Sequence, residues 1–225
     1  MQPGPANAPA ALFEAGQVLF GIAGTLLYHD PTSLVTDDLV AERDTLLDPA
    51  IQKLVPAGAL ALHAALANST KQRSLLLQDF TALFIQRTVS KVYPWESVYT
   101  TKDHTLFGPS TLEVQDLYRS YGIQLGASEN EPPDHIGLEL MFLSLLSQRG
   151  GDAVGHRDGA EAARFAKAHF DFLTQHVLVF ANDFLDAMES KAQTDFYLAV
   201  CLFARETLAW AKQAFSPHEN QEATG

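Results

Sequence analysis

Apolar positions along this chain recur at the three-to-four-residue spacing of helices and almost never with the alternation of a strand. The first such run covers 11–28 and stops before Asp30-Pro31, since the residue ahead of a proline avoids the α region. A second helix is expected from Thr36, an N-cap candidate followed by Asp37 and Asp38. Asp48-Pro49 reads as an N-cap with proline at the first helical position. Pro56 interrupts, and the helix resumes to Ala67. Asn68, Ser69 or Thr70 is placed to cap a long helix to about Gln86, in which Leu76, Leu77, Phe80, Leu83 and Phe84 share helical spacing. Residues 89–109 read as irregular. A strand over 92–100 would have no partner, so no sheet is expected.

Ser110 or Thr111 is placed to cap a helix to Tyr121, closed by Gly122. Pro132-Pro133 opens the next helix, 133–148. Ile136, Leu138, Leu140, Met141, Phe142, Leu143, Leu145 and Leu146 make it apolar almost all round, the mark of a central buried helix. Arg149-Gly150-Gly151-Asp152 is its expected stop. The chain then reads as helical to Phe215, with soft breaks at 177–181 and 190–191. The pattern predicts an all-α fold, a single-domain bundle of roughly 9–12 helices with irregular loops over 11–215. Loose tails are expected at 1–10 and 216–225.

Charge changes the picture of partners. Fifteen basic residues stand against 27 acidic, a net −12, so a phosphate backbone would be repelled and nucleic-acid binding is not expected. The charge serves solubility, a basic partner, or both. The single cysteine, Cys201, lies in the apolar run 199–204, where it reads as core packing. Residues 1–9 carry no Lys or Arg and no apolar core, unlike a secretory signal. No uninterrupted apolar stretch approaches the roughly 18 residues that span a bilayer. The expectation is a cytoplasmic protein without membrane insertion.

Cofactor chemistry leaves no trace in the sequence. Neither GxGxxG nor GxxxxGK[ST] occurs, nor HExxH, CxxC or GxSxG. Of the eight histidines only His169 and His176 share a helix face, and two imidazoles make a poor metal site. No metal or cofactor is expected.

Two segments stand out. Tyr93-Pro94-Trp95-Glu96-Ser97-Val98-Tyr99 puts three aromatics, a proline and a carboxylate in one loop. It is either a loop pinned to the core by its rings or a peptide-binding wall, where rigid aromatics give contact area at low entropic cost. Glu131-Pro132-Pro133-Asp134-His135 leads into the most apolar helix. Its acids either cap that helix or accept bidentate hydrogen bonds from an incoming arginine. Asp134-His135 could also serve acid–base chemistry.

These residues carry a resemblance. Leu76-Leu77-Gln78-Asp79-Phe80-Thr81-Ala82-Leu83-Phe84 looks like the Asp-aromatic-x-x-Leu-Phe helix of the TorD/DmsD family of redox-enzyme maturation chaperones. Pro94-Trp95-Glu96-Ser97-Val98-Tyr99, then Leu106-Phe107-Gly108 and Ser110-Thr111-Leu112, resembles its DmsD branch, in which Gly often stands where Glu96 does. Glu131-Pro132-Pro133-Asp134-His135 fits the family's Glu-Pro-x-Asp-His signature, and Phe172-Leu173-Thr174-Gln175-His176-Val177 its Phe-Leu-x-x-His-Leu helix. The family often has Pro-Trp soon after that histidine, where this chain has Val179-Phe180. The resemblance covers about Leu75 to Trp210.

It implies an all-helical, non-enzymatic chaperone, monomeric or a domain-swapped dimer. Such a chaperone binds the twin-arginine signal peptide and apo-form of a molybdoenzyme catalytic subunit, the best candidate being of the dimethyl sulfoxide reductase type, and delays export until the cofactor is loaded. Tat translocase components are possible further partners. Trp95, Ser97, Tyr99, Asp134 and His135 would line or support the peptide site. The residues read on their own add Tyr93 and Glu131: a twin-arginine leader joins a basic to an apolar region, and its receptor needs acids beside an apolar surface. The rivals are a helical hydrolase or lyase using Asp134 and His135, and a small-molecule-sensing regulator.

Overall fold

The computed structural model describes residues 8–34, 43–85, 92–125 and 131–217. Residues 1–7 and 218–225 of the tails expected at 1–10 and 216–225, the Thr36-Asp37-Asp38 start and Gln86 lie outside them. The described chain runs through α1 (Ala8–Tyr28), α2 (Pro31–Leu34), a 3₁₀ turn (Arg43–Leu47), α3 (Pro49–Leu54) and α4 (Pro56–Ser69). Then come α5 (Arg73–Phe80), which widens into a π turn (Thr81–Ile85), α6 (Glu96–Thr100) and α7 (Pro109–Ser120). The last part holds α8 (Ile136–Gly155), α9 (Gly159–Gln175), a 3₁₀ turn (Val177–Val179), α10 (Ala181–Glu189) and α11 (Asp195–Ala214). Among the described residues no strand forms; Trp95 and His135 make one isolated antiparallel bridge. The fold is all-α, as the periodicity predicts.

The central helix is α8, and α1 lies along it more closely than any other pair of elements. Small residues permit this approach. A Cβ on Gly24 would stand 2.8 Å from the Gly137 carbonyl oxygen, and one on Gly137 would stand 2.6 Å from Tyr28 Cβ. The same seam explains why Gly150-Gly151 does not end α8, contrary to expectation. Gly150 receives the ring of Phe13, where a Cβ would come within 2.2 Å. Packing of the ring offsets the roughly 1 kcal/mol that glycine costs inside a helix. By length and apolar character α1 could cross a membrane. Its Glu14 and Gln17 interrupt the apolar run, and Leu19, Phe20, Ala23 and Leu26 are buried in the core.

Several helix ends are capped from distant parts of the chain. Asp48 does cap α3 locally, accepting from Ala50 N at 2.7 Å with Pro49 behind it. But α4 has no local side-chain cap; Glu206 accepts from Gly58 N at 2.8 Å. Asp79 accepts from Thr194 N (2.8 Å), Gln193 N (3.0 Å) and Thr194 Oγ1 (2.6 Å), and so caps α11. Asn68 and Ser69 do not cap α5 as expected. Their side chains donate back to the carbonyls of Ala64 and Leu66, and α5 starts after Gln72. Gly108 with Pro109, not Ser110 or Thr111, starts α7, and Gly122 closes it at φ 73°. Helix α1 begins three residues earlier than the pattern suggests, at Ala8.

Cys201 is core packing: it is buried, and burial pushes its thiol up to about 12. His169 is fully buried, stacked on Phe215 at 3.8 Å between centroids. Among the described residues no group of three or more His, Cys, Asp or Glu is placed to hold a metal ion.

Candidate functional site

The two unusual segments of the sequence meet. Glu96 N donates to the Asp134 carbonyl oxygen (2.9 Å) and Ile136 N to the Pro94 carbonyl oxygen (2.7 Å), zipping Pro94-Trp95-Glu96 against Asp134-His135-Ile136. The Asp134 carboxylate completes the join, its Oδ2 accepting from Ser97 N at 2.8 Å. Trp95 is the N-cap residue of α6 and makes no cap of its own, so Asp134 caps α6 across 37 positions of sequence. The expectation that Asp134 caps the helix it precedes is corrected: that role falls to His135, whose Nδ1 accepts from Gly137 N at 3.0 Å. Accepting there fixes the unprotonated nitrogen, and burial holds the ring down at about 3, so His135 is neutral.

Behind this join lies a buried polar cluster. Glu96, first residue of α6, meets His176 Nδ1 at 3.1 Å, both nearly sealed from solvent. Tyr118 donates its hydroxyl to the Pro133 carbonyl oxygen at 3.1 Å. Glu139 is fully buried; burial first, then the charges of Glu96 and Asp134, push it well above the usual carboxyl range. Its protonated form is therefore favoured, and both of its oxygens lack a hydrogen-bond partner. The soft break at 177–181 places His176 here, at the end of α9.

In front of the join opens a cleft of about 310 Å³. One wall is Pro94, Trp95 and His135, with Glu131 at its edge; the other is Leu27 and Tyr28 from α1 and Phe80, Phe84 and Ile85 from the end of α5. The rings lock one another edge-on: Trp95 to His135 at 6.2 Å and 83°, Tyr28 to His135 at 5.2 Å and 84°. Trp95 Nε1 donates to Glu131 Oε2 at 3.1 Å, which fixes both the indole and the half-buried carboxylate. The π turn Thr81–Ile85 lies in the second wall, and such widened turns recur at functional sites.

The sequence-derived site residues thus divide. Trp95, Glu131 and His135 line the cleft, and Tyr93, 42 % exposed, stands beside Trp95 with ring centroids 6.4 Å apart. Ser97 and Asp134 are fully buried and support the wall from behind. A direct grip of Asp134 on an arginine does not fit a side chain of 0 % exposure. Tyr99 turns away from the cleft to pack on Phe180 at 5.5 Å, where burial, then Asp183, push its hydroxyl up to about 12. Sequence reasoning missed Leu27, Tyr28 and Ile85. The i, i+4 spacing of Phe80 and Phe84 marked an apolar face, but nothing local shows which neighbour that face meets.

Known proteins bear on this site. The sequence profile of a family described as nitrate reductase delta subunit matches residues 48–186, more than half of the chain. The Tat proofreading chaperone DmsD of Salmonella typhi is 33% identical over 199 residues, spanning 87% of this chain and 89% of that protein. Its namesake from Salmonella paratyphi A is 32% identical over 198 residues, with the same coverage of both chains. The chaperone protein TorD of Vibrio cholerae is 30% identical over 138 residues, 61% of this chain and 60% of that protein. The matched range 48–186 takes in the Phe80-to-Ile85 wall and the Trp95 and His135 wall of the cleft; the chain belongs to the nitrate reductase delta subunit family, together with the chaperones DmsD and TorD.

Proposed function

We propose that the protein is a cytoplasmic, non-enzymatic maturation chaperone. It takes the twin-arginine leader of a molybdenum-cofactor oxidoreductase, of the dimethyl sulfoxide reductase type, into the cleft between α1, the end of α5 and Trp95. It holds the apo-enzyme back from the Tat translocase until the cofactor is in place. The observation that carries the reading is the cleft's make-up: Leu27, Phe80, Phe84, Ile85 and Trp95 form an apolar trough with the Glu131 carboxylate at its edge. A leader in which paired arginines precede an apolar run matches that order of surfaces. One oxygen of Glu131 holds the indole N–H, leaving the other for a guanidinium, whose charge-assisted hydrogen bond is the strong kind. The net −12 of the chain attracts the basic end at long range.

The test is a calorimetric titration with a twin-arginine leader peptide beside its Lys-Lys form. The native peptide saturates, and Lys-Lys binds roughly tenfold more weakly, because a point charge replaces the planar fork. Glu131→Gln narrows that gap without lowering Tm. Absence of heat with leaders from several molybdoenzymes refutes the reading. The rival hydrolase or lyase reading is disfavoured, because Asp134 and His135 each accept from a backbone N–H, which occupies the atoms that acid–base chemistry would need.

A further inference from the structure

The loop 101–108, which joins α6 to α7, takes no part in the leader cleft, yet it is built with unusual care. Two of its residues, His104 (φ 51°) and Phe107 (φ 64°), sit in the left-handed region without being glycine. A branched or bulky side chain there is a genuine outlier, and such strain persists only where the surroundings impose it. The surroundings are visible. Thr101 Oγ1 donates to the Ser97 carbonyl oxygen at 2.8 Å and accepts from Thr105 N at 3.0 Å. His104 Nδ1 donates to the Val98 carbonyl oxygen at 2.8 Å. Gly108 closes the loop on the end of α6, where a Cβ would stand 2.6 Å from Thr101 Cγ2. Hydrogen bonds of Thr101 and His104 fix the first half of the loop to the end of α6, and the close approach of Gly108 to Thr101 holds the second.

What this fixed loop presents is apolar. Phe107 is 72 % exposed, Leu106 40 %, and Leu112, on the first turns of α7, 64 %. No other large apolar side chain among the described residues is as exposed as Phe107. Burial in the fold therefore does not account for the strain. A glycine at 107 would relieve it while giving up a side chain that is 72 % exposed.

We propose that Phe107, flanked by Leu106 and Leu112, is a docking knob for the folded body of the same client whose leader enters the cleft; this rests on the leader reading above. Shape selects the occupant. A rigid convex side chain needs an apolar socket, which a folded protein has and a short leader lacks. Position agrees. Helix α6 has five residues and is about 7.5 Å long. Trp95, at its start, lines the cleft, and the knob loop hangs from its end, so a client held by its leader brings its body against the loop.

The test uses the full chain and three probes: a twin-arginine leader peptide, and the leader-bearing and leaderless apo-forms of a dimethyl sulfoxide reductase-type catalytic subunit. Affinities are measured for the parent and for Phe107→Gly, with Tm and sedimentation of each. Phe107→Gly keeps Tm at or above the parent's, by up to roughly 2–4 °C. It leaves the peptide's Kd within about twofold and weakens both forms of the subunit by roughly tenfold or more, as loss of an interface hot spot does. Unchanged affinity for the subunit overturns the proposal. So does a fall in Tm, which would make Phe107 a stability residue, or an equal loss of peptide affinity, which would put it in the leader site. A parent dimer that Phe107→Gly dissociates would make a second copy the occupant and also overturns it. Should the peptide fail to bind while the leaderless subunit still binds through Phe107, the leader reading falls and the knob stands.

Discussion

Asp134→Ala and Asp134→Asn together separate a residue that holds the leader wall from one that touches the leader. In the structure Asp134 Oδ2 is the acceptor for Ser97 N, both residues are fully buried, and Oδ1 has no partner. Alanine strands that N–H, which costs about 1–3 kcal/mol when no water can replace the acceptor. It also removes one of three carboxyls packed together, and Asp134 contributes to the upward push on Glu139, so part of the cost is returned. A net loss of about 2 kcal/mol corresponds to a fall in Tm of roughly 4–8 °C for a chain of this size. Asparagine keeps a carbonyl acceptor for Ser97 N and drops the charge, so its stability stays within about 1 kcal/mol of the parent. Thermal unfolding and calorimetry with the twin-arginine peptide are read together. Because the bond ties Trp95 to the start of α8, alanine loosens the cleft and weakens the peptide about tenfold, while asparagine keeps its affinity within about threefold. A normal Tm with tenfold weaker binding in Asp134→Asn would refute this, since only a carboxylate in contact with the arginines behaves so. An unchanged Asp134→Ala would show that the bond across α6 contributes nothing.

His135 and His169 are both held near 3 by burial, against an ordinary 6.5, so each favours the folded state fully above about 6.5 and loses that contribution as pH falls toward 3. Stability should fall by up to about 1.4 kcal/mol per pH unit for each in that window, and His169→Leu, which removes one of the two, should flatten the acid limb of the Tm–pH curve; an unchanged limb refutes the assignment. Glu139 runs the opposite way. Its raised value makes its contribution complete below about 4.5 and lost as pH climbs above it, so Glu139→Gln should lose less Tm than the parent between pH 5 and pH 8, as scanning calorimetry would record. Asp79→Ala removes three hydrogen bonds at the start of α11 and should cost about 3 kcal/mol, roughly 6–12 °C in Tm; a shift of under 2 °C would mean that water takes over the cap.

The helices were legible because periodicity is a local property. The near-complete apolarity of 136–146 marked the central helix, and Asp48-Pro49 marked a helix start that the structure caps as expected. The failures share one cause, tertiary override of local signals. Gly150-Gly151 reads as a stop from propensity alone, but the ring of Phe13 fills the space that a side chain would take. Asn68 and Ser69 read as caps for α5, but the turn after α4 directs them backwards. A strained residue such as Phe107 leaves no mark in sequence, since nothing local announces that a phenylalanine will adopt φ 64°.

The site was legible as a list of residues and illegible as a division of labour. Sequence placed an acid beside an apolar helix and so favoured Asp134 as a charge offered to a guest. Geometry gives it a different task. Helices α4, α6 and α11 all lack a side-chain cap of their own, and each is capped by a carboxylate from elsewhere: Glu206, Asp134 and Asp79. An acid used this way ties two distant segments at one point, and its charge is consumed by backbone donors rather than offered outward. Asp79 and Asp134 are also the two aspartates in the motifs, one beside each wall of the cleft. Asp79 immediately precedes Phe80 of the second wall, and Asp134 immediately precedes His135 of the first. The walls are thus set by buried joins behind the cleft, whose lining is left to residues such as Trp95, Tyr28, Phe80, Phe84 and the half-exposed Glu131. A cleft whose rigidity and whose contacts reside in different residues can change its guest by exchanging the second set while keeping the first. Swapping Ile85, 58 % exposed, should therefore alter which leader binds at unchanged Tm, whereas no replacement of Asp79 or Asp134 should alter preference without also altering stability.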